Sequence, residues 1–451
     1  MGKMFGTDGV RGKANVVLTP QIAYELGNKG AYVLNQIHRQ GQKKEKILVG
    51  RDTRISGTML ESALAAGICA SGVDVVLLGV IPTAAVAYLT KKMGAVAGVV
   101  ISASHNPACD NGIKFFGGNG YKLPDEVEHE IETLILEKRE IPQAKGKEVG
   151  VITVEQDGGA IYCQHLLEHI HPDLTGMKLV IDGANGAASF LAPEVFAALG
   201  AEVVSTHCQP DGWNINLNCG STHPEQLMER VKQEGADVGL AFDGDADRLL
   251  VVDENGRLLS GDEIMVICAN DLKQHQQLAE NKLVVTVMSN LGLKVAMEAA
   301  GVEVLQTKVG DRYVLEEMLK SGAIIGGEQS GHIIFSRVNT TGDGLTTALY
   351  FLQVLQESGQ KVSQLAQQMT VLPQVMKNVP VQTKDGWDEK ANVQAAMAAA
   401  TQQLAERGRI LVRPSGTESL LRVMAEGPDL AELQQVVDAI AREIDLAQNQ
   451  G

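Results

Sequence analysis

An apolar run from Ala95 to Ile101 has the length and β-branched content of a buried strand. It empties into Ser102-Ala103-Ser104-His105-Asn106-Pro107, a small, polar, turn-forming segment that Pro107 keeps from continuing as helix. A serine presented where a buried strand ends, with a histidine beside it, has the setting of a nucleophile, Ser104 with His105; an ordinary polar turn is the competing reading. A second loop, Asp243-Gly244-Asp245-Ala246-Asp247-Arg248, places three alternating carboxylates directly after another apolar strand. Carboxylates so close repel one another unless a cation sits among them, and hard oxygen donors suit Mg²⁺. A calcium EF-hand loop fails because Arg248 stands where the turn glycine is required, and Leu249 to Val252 is strand-like. A phosphatase with an aspartyl nucleophile and a merely solvated turn are the remaining rivals. In a third loop, Arg413-Pro414-Ser415-Gly416-Thr417 offers a guanidinium, two hydroxyls and close backbone approach at glycine, a set that can clasp phosphate; a solvated turn is the competing reading. Glu328 and Ser330, two apart with His332 nearby, can face one way and hydrogen-bond a polyol.

These loops need elements to hold them. Thr19 and Pro20 cap and open a helix; a strand Ile47 to Val49, a helix from about Thr58 to Ala70, a strand Val73 to Leu78 and a helix after Pro82 lead to the strand before Ser104. The alternation restarts with a strand Lys178 to Ile181, then Glu202 to Thr206 and Asp237 to Phe242, and again with Leu283 to Val287, Glu303 to Gln306 and Ala323 to Ile325. Alternating strands and helices predict mainly parallel sheets with working residues at strand C-terminal ends. From Val371 the pattern changes to an α+β arrangement: a strand Met376 to Gln382, a helix Glu389 to Arg407, strands Arg409 to Arg413 and Leu420 to Met424, and a helix from Pro428. The expected domains are residues 1–150, 151–255, 256–370 and 371–451: three similar mixed α/β units and a smaller C-terminal α+β unit.

With 451 residues, 44% hydrophobic content and 48 glycines, the chain fits a multidomain α/β protein. A net charge of -16 argues against nucleic acid or an anionic membrane as partner, so an anionic substrate must be drawn by local arginines and lysines. The apolar runs are too short to span a bilayer, the opening MGKMFGTDGVRG has no apolar leader core, and six scattered cysteines lack any C-x-x-C pair. The expectation is a reduced, soluble, cytoplasmic protein. His165, His169 and His171 read as surface histidines, because no carboxylate or cysteine pattern completes a zinc site around them.

SASHNP, DGDADR, GEQSGH and RPSGTE, in this order and over the whole chain, resemble the α-D-phosphohexomutase family. FGTDGVRG and Thr307-Lys308-Val309-Gly310-Asp311-Arg312 look most like its glucosamine branch; glucose and mannose members usually have histidine where Asp311 stands. The resemblance implies four domains around a central cleft. It also implies that Ser104 is carried as a phosphoserine, whose phosphate holds Mg²⁺ together with Asp243, Asp245 and Asp247. The implied reaction turns glucosamine 6-phosphate into glucosamine 1-phosphate through glucosamine 1,6-bisphosphate, toward UDP-N-acetylglucosamine and peptidoglycan. Arg11, His105, Lys114 and Arg248 match the positions around the transferred phosphoryl, with Lys114 the favoured proton acceptor. Glu328, Ser330 and His332 match the sugar loop, and Arg413, Ser415, Gly416, Thr417 and Arg422 match the site for the phosphate that is not transferred. A glucose or mannose phosphate mutase and a non-catalytic phosphosugar sensor are the alternatives. The partner is a small phosphosugar, with a homodimer left open.

Overall fold

Apolar strands alternate with helices through most of the chain, and the computed structural model, which describes residues 4–6, 8–38, 44–415 and 419–449, arranges them in four sheets. The first contains β1 (Val10–Lys13), β2 (Lys46–Arg51), β3 (Asp74–Val80), β4 (Ala97–Ile101), β5 (Asp110–Gly117) and β6 (Ile152–Val154), in the order β1-β5-β4-β2-β3-β6. The second joins β7 (Lys178–Asp182), β8 (Glu202–Thr206), β9 (Val238–Phe242), β10 (Leu249–Asp253) and β11 (Leu258–Leu259) as β11-β10-β9-β7-β8. The third joins β12 (Lys282–Thr286), β13 (Glu303–Thr307), β14 (Ile325–Gly327) and β15 (Ile333–Phe335) as β13-β12-β14-β15. The last is antiparallel: β16 (Gln374–Pro380), β17 (Arg409–Pro414) and β18 (Leu420–Glu426), with β18 central.

One four-strand pattern recurs in the first three sheets. Three parallel strands lie in the order third, first, second, and an antiparallel strand returns beside the third: β4-β2-β3 with β5, β9-β7-β8 with β10, and β14-β12-β13 with β15. After the first strand the chain leaves toward the second, and after the third it leaves the opposite way. Loops at the C-terminal ends of those two neighbours therefore diverge and open a crevice, the usual ligand site of such sheets. SASHNP, DGDADR and GEQSGH all occupy the turn from third strand to antiparallel partner. Parallel pairs dominate the first and third sheets, as expected, and each repeat closes on this returning antiparallel strand.

Local chemistry explains the elements. Thr19 Oγ1 accepts from the Ile22 N–H (3.3 Å), capping the helix Pro20–His38. That helix packs against Gly57–Ala70 at backbone distance: a Cβ on Gly27 would lie 2.2 Å from the Leu64 carbonyl, and one on Gly67 2.2 Å from that of Tyr24. β4 and β9 are buried along their whole length, as uniformly apolar central strands must be. Beyond residue 150, β6 still pairs with β3. His169 and His171 are exposed as expected, whereas His165 is half-buried: its ring stacks on Tyr88 with centroids 3.9 Å apart and its Nε2 lies 2.9 Å from the Val338 carbonyl.

Two compact units result. One takes residues 1–288 and 302–368 and includes the first three sheets; the other takes residues 289–301 and 369–451. In the second, helices Ala391–Leu404 and Leu430–Asn449 cover the antiparallel sheet around Val393, Leu421, Val423 and Val437. Among the described residues no helix is long and apolar enough to cross a membrane.

Candidate active site

Ser104 is 1% exposed at the end of β4, with φ of 49°. A left-handed backbone at a non-glycine residue costs on the order of 1–3 kcal/mol and persists only where its surroundings impose it. They do so here: the Ser104 N–H donates to Ser102 Oγ (2.9 Å), and Ser102 Oγ donates to Asp52 Oδ2 (2.6 Å). Asp52 also accepts from Arg54 Nε (2.8 Å), so the second serine of the loop is a support. The result aims Ser104 Oγ at Asp243 Oδ2, 2.6 Å away, with His105 Nδ1 at 3.3 Å.

Asp243, Asp245 and Asp247 are buried, and one oxygen of each lies within 4.8 Å of the others. Asp245 Oδ2 accepts from Lys114 Nζ (2.7 Å) and Thr83 Oγ1 (2.6 Å), while Asp245 Oδ1 and Asp247 Oδ1 are buried without a hydrogen-bond partner. Burial and the charges of Asp247 and Asp245 hold the Asp243 carboxyl well above the carboxylate range. Burial and Asp245 likewise raise Asp247. Burial also works against Asp245, but the Lys114 ammonium outweighs it and holds that carboxyl low. An all-oxygen cluster with two unsatisfied buried oxygens and strained ionisation fits a hard divalent cation.

Cations surround this cluster. Lys114 lies 3.7 Å from Asp247 and 3.8 Å from Asp8 as well as on Asp245; burial alone would lower it, yet these carboxylates raise it well above an ordinary lysine. Paired with these carboxylates, Lys114 is held in its protonated form. His105, lowered to about 4 by burial and by Arg248 and Arg11, is neutral at pH 7, with Nδ1 3.3 Å from Ser104 Oγ. Arg11 pairs with Asp8 and reaches the Ala103 carbonyl (3.5 Å), and the Arg248 N–H donates to Asp243 Oδ1 (3.2 Å). Both guanidinium Nε atoms are buried without a hydrogen-bond partner, as donors awaiting an anion would be.

The loop after β14 lies against the same group. His332 is 3% exposed, with Nε2 3.9 Å from Asp247 Oδ2 and 3.7 Å from Asp311 Oδ2. Glu328 Oε1 accepts from the Gly310 N–H (3.1 Å), and Ser330 Oγ is buried without a hydrogen-bond partner. Lys122 ties Asp8 (2.6 Å) to Asp311 (2.5 Å). In the second unit Arg413 and Arg422 face each other across β17 and β18, Ser415 is buried, and Lys384 Nζ donates to the Ser415 carbonyl (2.8 Å). Burial and then the Arg422 charge lower Arg413. Gly416 and Thr417 lie outside the described residues.

Arg54, Asp8, Lys122 and Thr83 escaped the sequence reading. The one signal for Arg54 was its place after β2 in Gly50-Arg51-Asp52-Thr53-Arg54, where charges follow a buried strand; Arg54 is 1% exposed.

Residues 2–142, 160–256 and 260–372 match the phosphoglucomutase/phosphomannomutase alpha/beta/alpha domains I, II and III, and residues 376–443 match the C-terminal domain of that family. A phosphoglucosamine mutase of Desulforamulus reducens is 57% identical over 98% of this chain and 99% of its own. A phosphoglucomutase/phosphomannomutase family protein of Burkholderia thailandensis superposes with a TM-score of 0.83 at 26% identity, over 99% of this chain and 98% of its own. The N-acetylphosphoglucosamine mutase of Aspergillus fumigatus, solved with GlcNAc-6P and magnesium, gives 0.70 at 16% identity over 99% and 96%.

Proposed function

The chain belongs to the phosphoglucomutase/phosphomannomutase family, and from that premise we propose that it interconverts glucosamine 6-phosphate and glucosamine 1-phosphate with Ser104 as phosphoryl carrier. The observation that carries this reading is Ser104 Oγ, 2.6 Å from Asp243, beside buried Asp245 and Asp247 oxygens that no protein donor satisfies. In the first half-reaction the free sugar hydroxyl attacks the phosphorus on Ser104. The new O–P bond forms as the P–Oγ bond breaks, the hydroxyl proton passes to a neighbouring base, a role we assign to neutral His105, 3.3 Å from Ser104 Oγ, and the departing Ser104 oxygen takes up a proton. The glucosamine 1,6-bisphosphate so formed turns over, and its other phosphoryl returns to Ser104 by the reverse step. A transferring phosphoryl spreads charge over its oxygens, so positioning and neutralisation supply the catalysis. Asp243, Asp245, Asp247 and the seryl phosphate would hold Mg²⁺, which when bound withdraws charge from that phosphoryl. Lys114, Arg11 and Arg248 add fixed positive charge, Glu328 and Ser330 hold sugar hydroxyls, and Arg413, Ser415 and Arg422 hold the phosphate at rest. The product leads toward UDP-N-acetylglucosamine, a cytoplasmic task.

Peptide mass spectrometry of active protein tests this. Phosphate is expected on Ser104, with turnover lost in Ser104→Ala and reversibly lost on chelation. Phosphate on Ser102 with an active Ser104→Ala would overturn the assignment.

A further inference from the structure

The carrier serine and the carboxylate triplet belong to different sheets, so something must hold one loop in register with the other. Asn216 spans the two. Its side-chain amide donates both hydrogens across the boundary, to the Ser104 carbonyl (2.8 Å) and the Asn106 carbonyl (3.0 Å). The same two carbonyls accept from Arg54 Nη2 at 2.9 and 2.8 Å, so both are pinned from each side. Asn216 is 8% exposed and itself left-handed (φ 57°), with its N–H on the Ala184 carbonyl (2.9 Å). The metal loop closes the gap: a Cβ on Gly244 would lie 2.5 Å from the Ser104 carbonyl and 2.8 Å from the Asn216 amide nitrogen.

We propose that Asn216 is a positioning residue for phosphoryl transfer, which holds the left-handed Ser104 at a fixed distance from the Asp243-Asp245-Asp247 loop through the phosphorylated and free states alike. The inference rests on Ser104 being the carrier. Arg54 makes too many bonds for a clean test, since it also serves the Pro107 and Asp110 carbonyls. Asn216 can be altered without disturbing its backbone: Asn216→Gly keeps the left-handed conformation and removes only the amide. Asn216→Asp keeps shape and backbone preference but turns carboxylate oxygens on two carbonyls.

A displacement of the reacting atoms by about 1 Å costs on the order of 100-fold in rate. Asn216→Gly should lower kcat roughly 10- to 100-fold with KM for glucosamine 6-phosphate nearly unchanged, and shift or broaden the ³¹P resonance of the phosphoserine. Asn216→Asp should lose more than Asn216→Gly. The measurement is steady-state kinetics with ³¹P NMR and peptide mass spectra on wild type and both variants. Wild-type kcat and an unmoved resonance in Asn216→Gly, with Ser104 phosphorylated, would overturn the positioning role alone. A variant that merely unfolds in part, its folded fraction keeping wild-type kcat and resonance, would do the same. Wild-type protein lacking phosphate on Ser104 would instead overturn the carrier assignment.

Discussion

Asp311 begins the helix Asp311–Ser321, its carboxylate held by Lys122 and 3.7 Å from His332. Burial would raise its pKa, but the charges of Lys122 and His332 outweigh that and keep it ionised. Glucosamine 6-phosphate carries a C2 ammonium that glucose 6-phosphate lacks, and a carboxylate discriminates between them only by what Lys122 leaves unneutralised. Because Lys122 also binds Asp8, it keeps one anchor when Asp311 is neutralised. Asp311→Asn is therefore expected to lower kcat/KM for the amino sugar about 10-fold more than for glucose phosphate, in parallel assays on the two substrates. Equal losses would remove Asp311 from the specificity argument. Ser104, the aspartate triplet and Arg413 were readable as candidates because strand, turn and chemistry sit side by side in the chain. Lys122 and Asn216 were not, since their meaning lies in partners 189 and 112 residues away.

At the level of elements, the strands read best were those whose apolar runs are continuous, such as β4 and β9. β5 was missed because Asn111, Gly112 and Lys114 interrupt it, although Ile113, Phe115 and Phe116 are buried. Loops were harder, and the segment leading to Asn216 shows why. Asp182, at the end of β7, accepts from the Ala184 and Gly220 N–H groups (2.9 and 3.0 Å) and pairs with His207 Nδ1 (3.0 Å) after β8. One carboxylate thus ties down both ends of the excursion that carries Asn216. The hydrogen bond to Asp182 raises the His207 pKa against the pull of burial. A histidine raised in the folded state adds stability that is complete below its unfolded value of about 6.5, and that stability is lost as pH rises through the folded value. Thermal melts from pH 5 to 9 should show wild type declining with rising pH more steeply than His207→Gln. Parallel curves would mean that the pair contributes nothing that titrates.

Across the whole molecule, the three repeats were legible as alternation and the change of pattern at Val371 lies close to residue 369, where the second unit resumes, but the membership of residues 289–301 in that unit was not legible. The helix Leu291–Ala299 lies in the chain between β12 and β13, yet it belongs to the second unit. There the Leu291 N–H donates to Glu426 (3.1 Å) and Asn290 Nδ2 to the Leu372 carbonyl (2.9 Å), contacts that chain order hides. The second unit offers no carboxylate cluster among its described residues, only Arg413 opposite Arg422 with Lys384 close by. Like charges directly opposite on paired strands are destabilising, and a bound phosphate would relieve them. In a protein of net charge -16, such a pair makes sense as an anion site. Binding energy from a phosphate that does not react can orient the end that does. Arg413→Ala is therefore expected to lose about 2–4 kcal/mol of transition-state stabilisation, roughly 30- to 1,000-fold in kcat/KM, with Arg413→Lys recovering part of it. Ser104 phosphorylation and metal affinity should stay near wild type, because both belong to the other unit. The deciding control is a sugar analogue without the resting phosphate. On it, wild type and Arg413→Ala should perform alike, and an equal penalty on both substrates would mean that Arg413 does not read the phosphate.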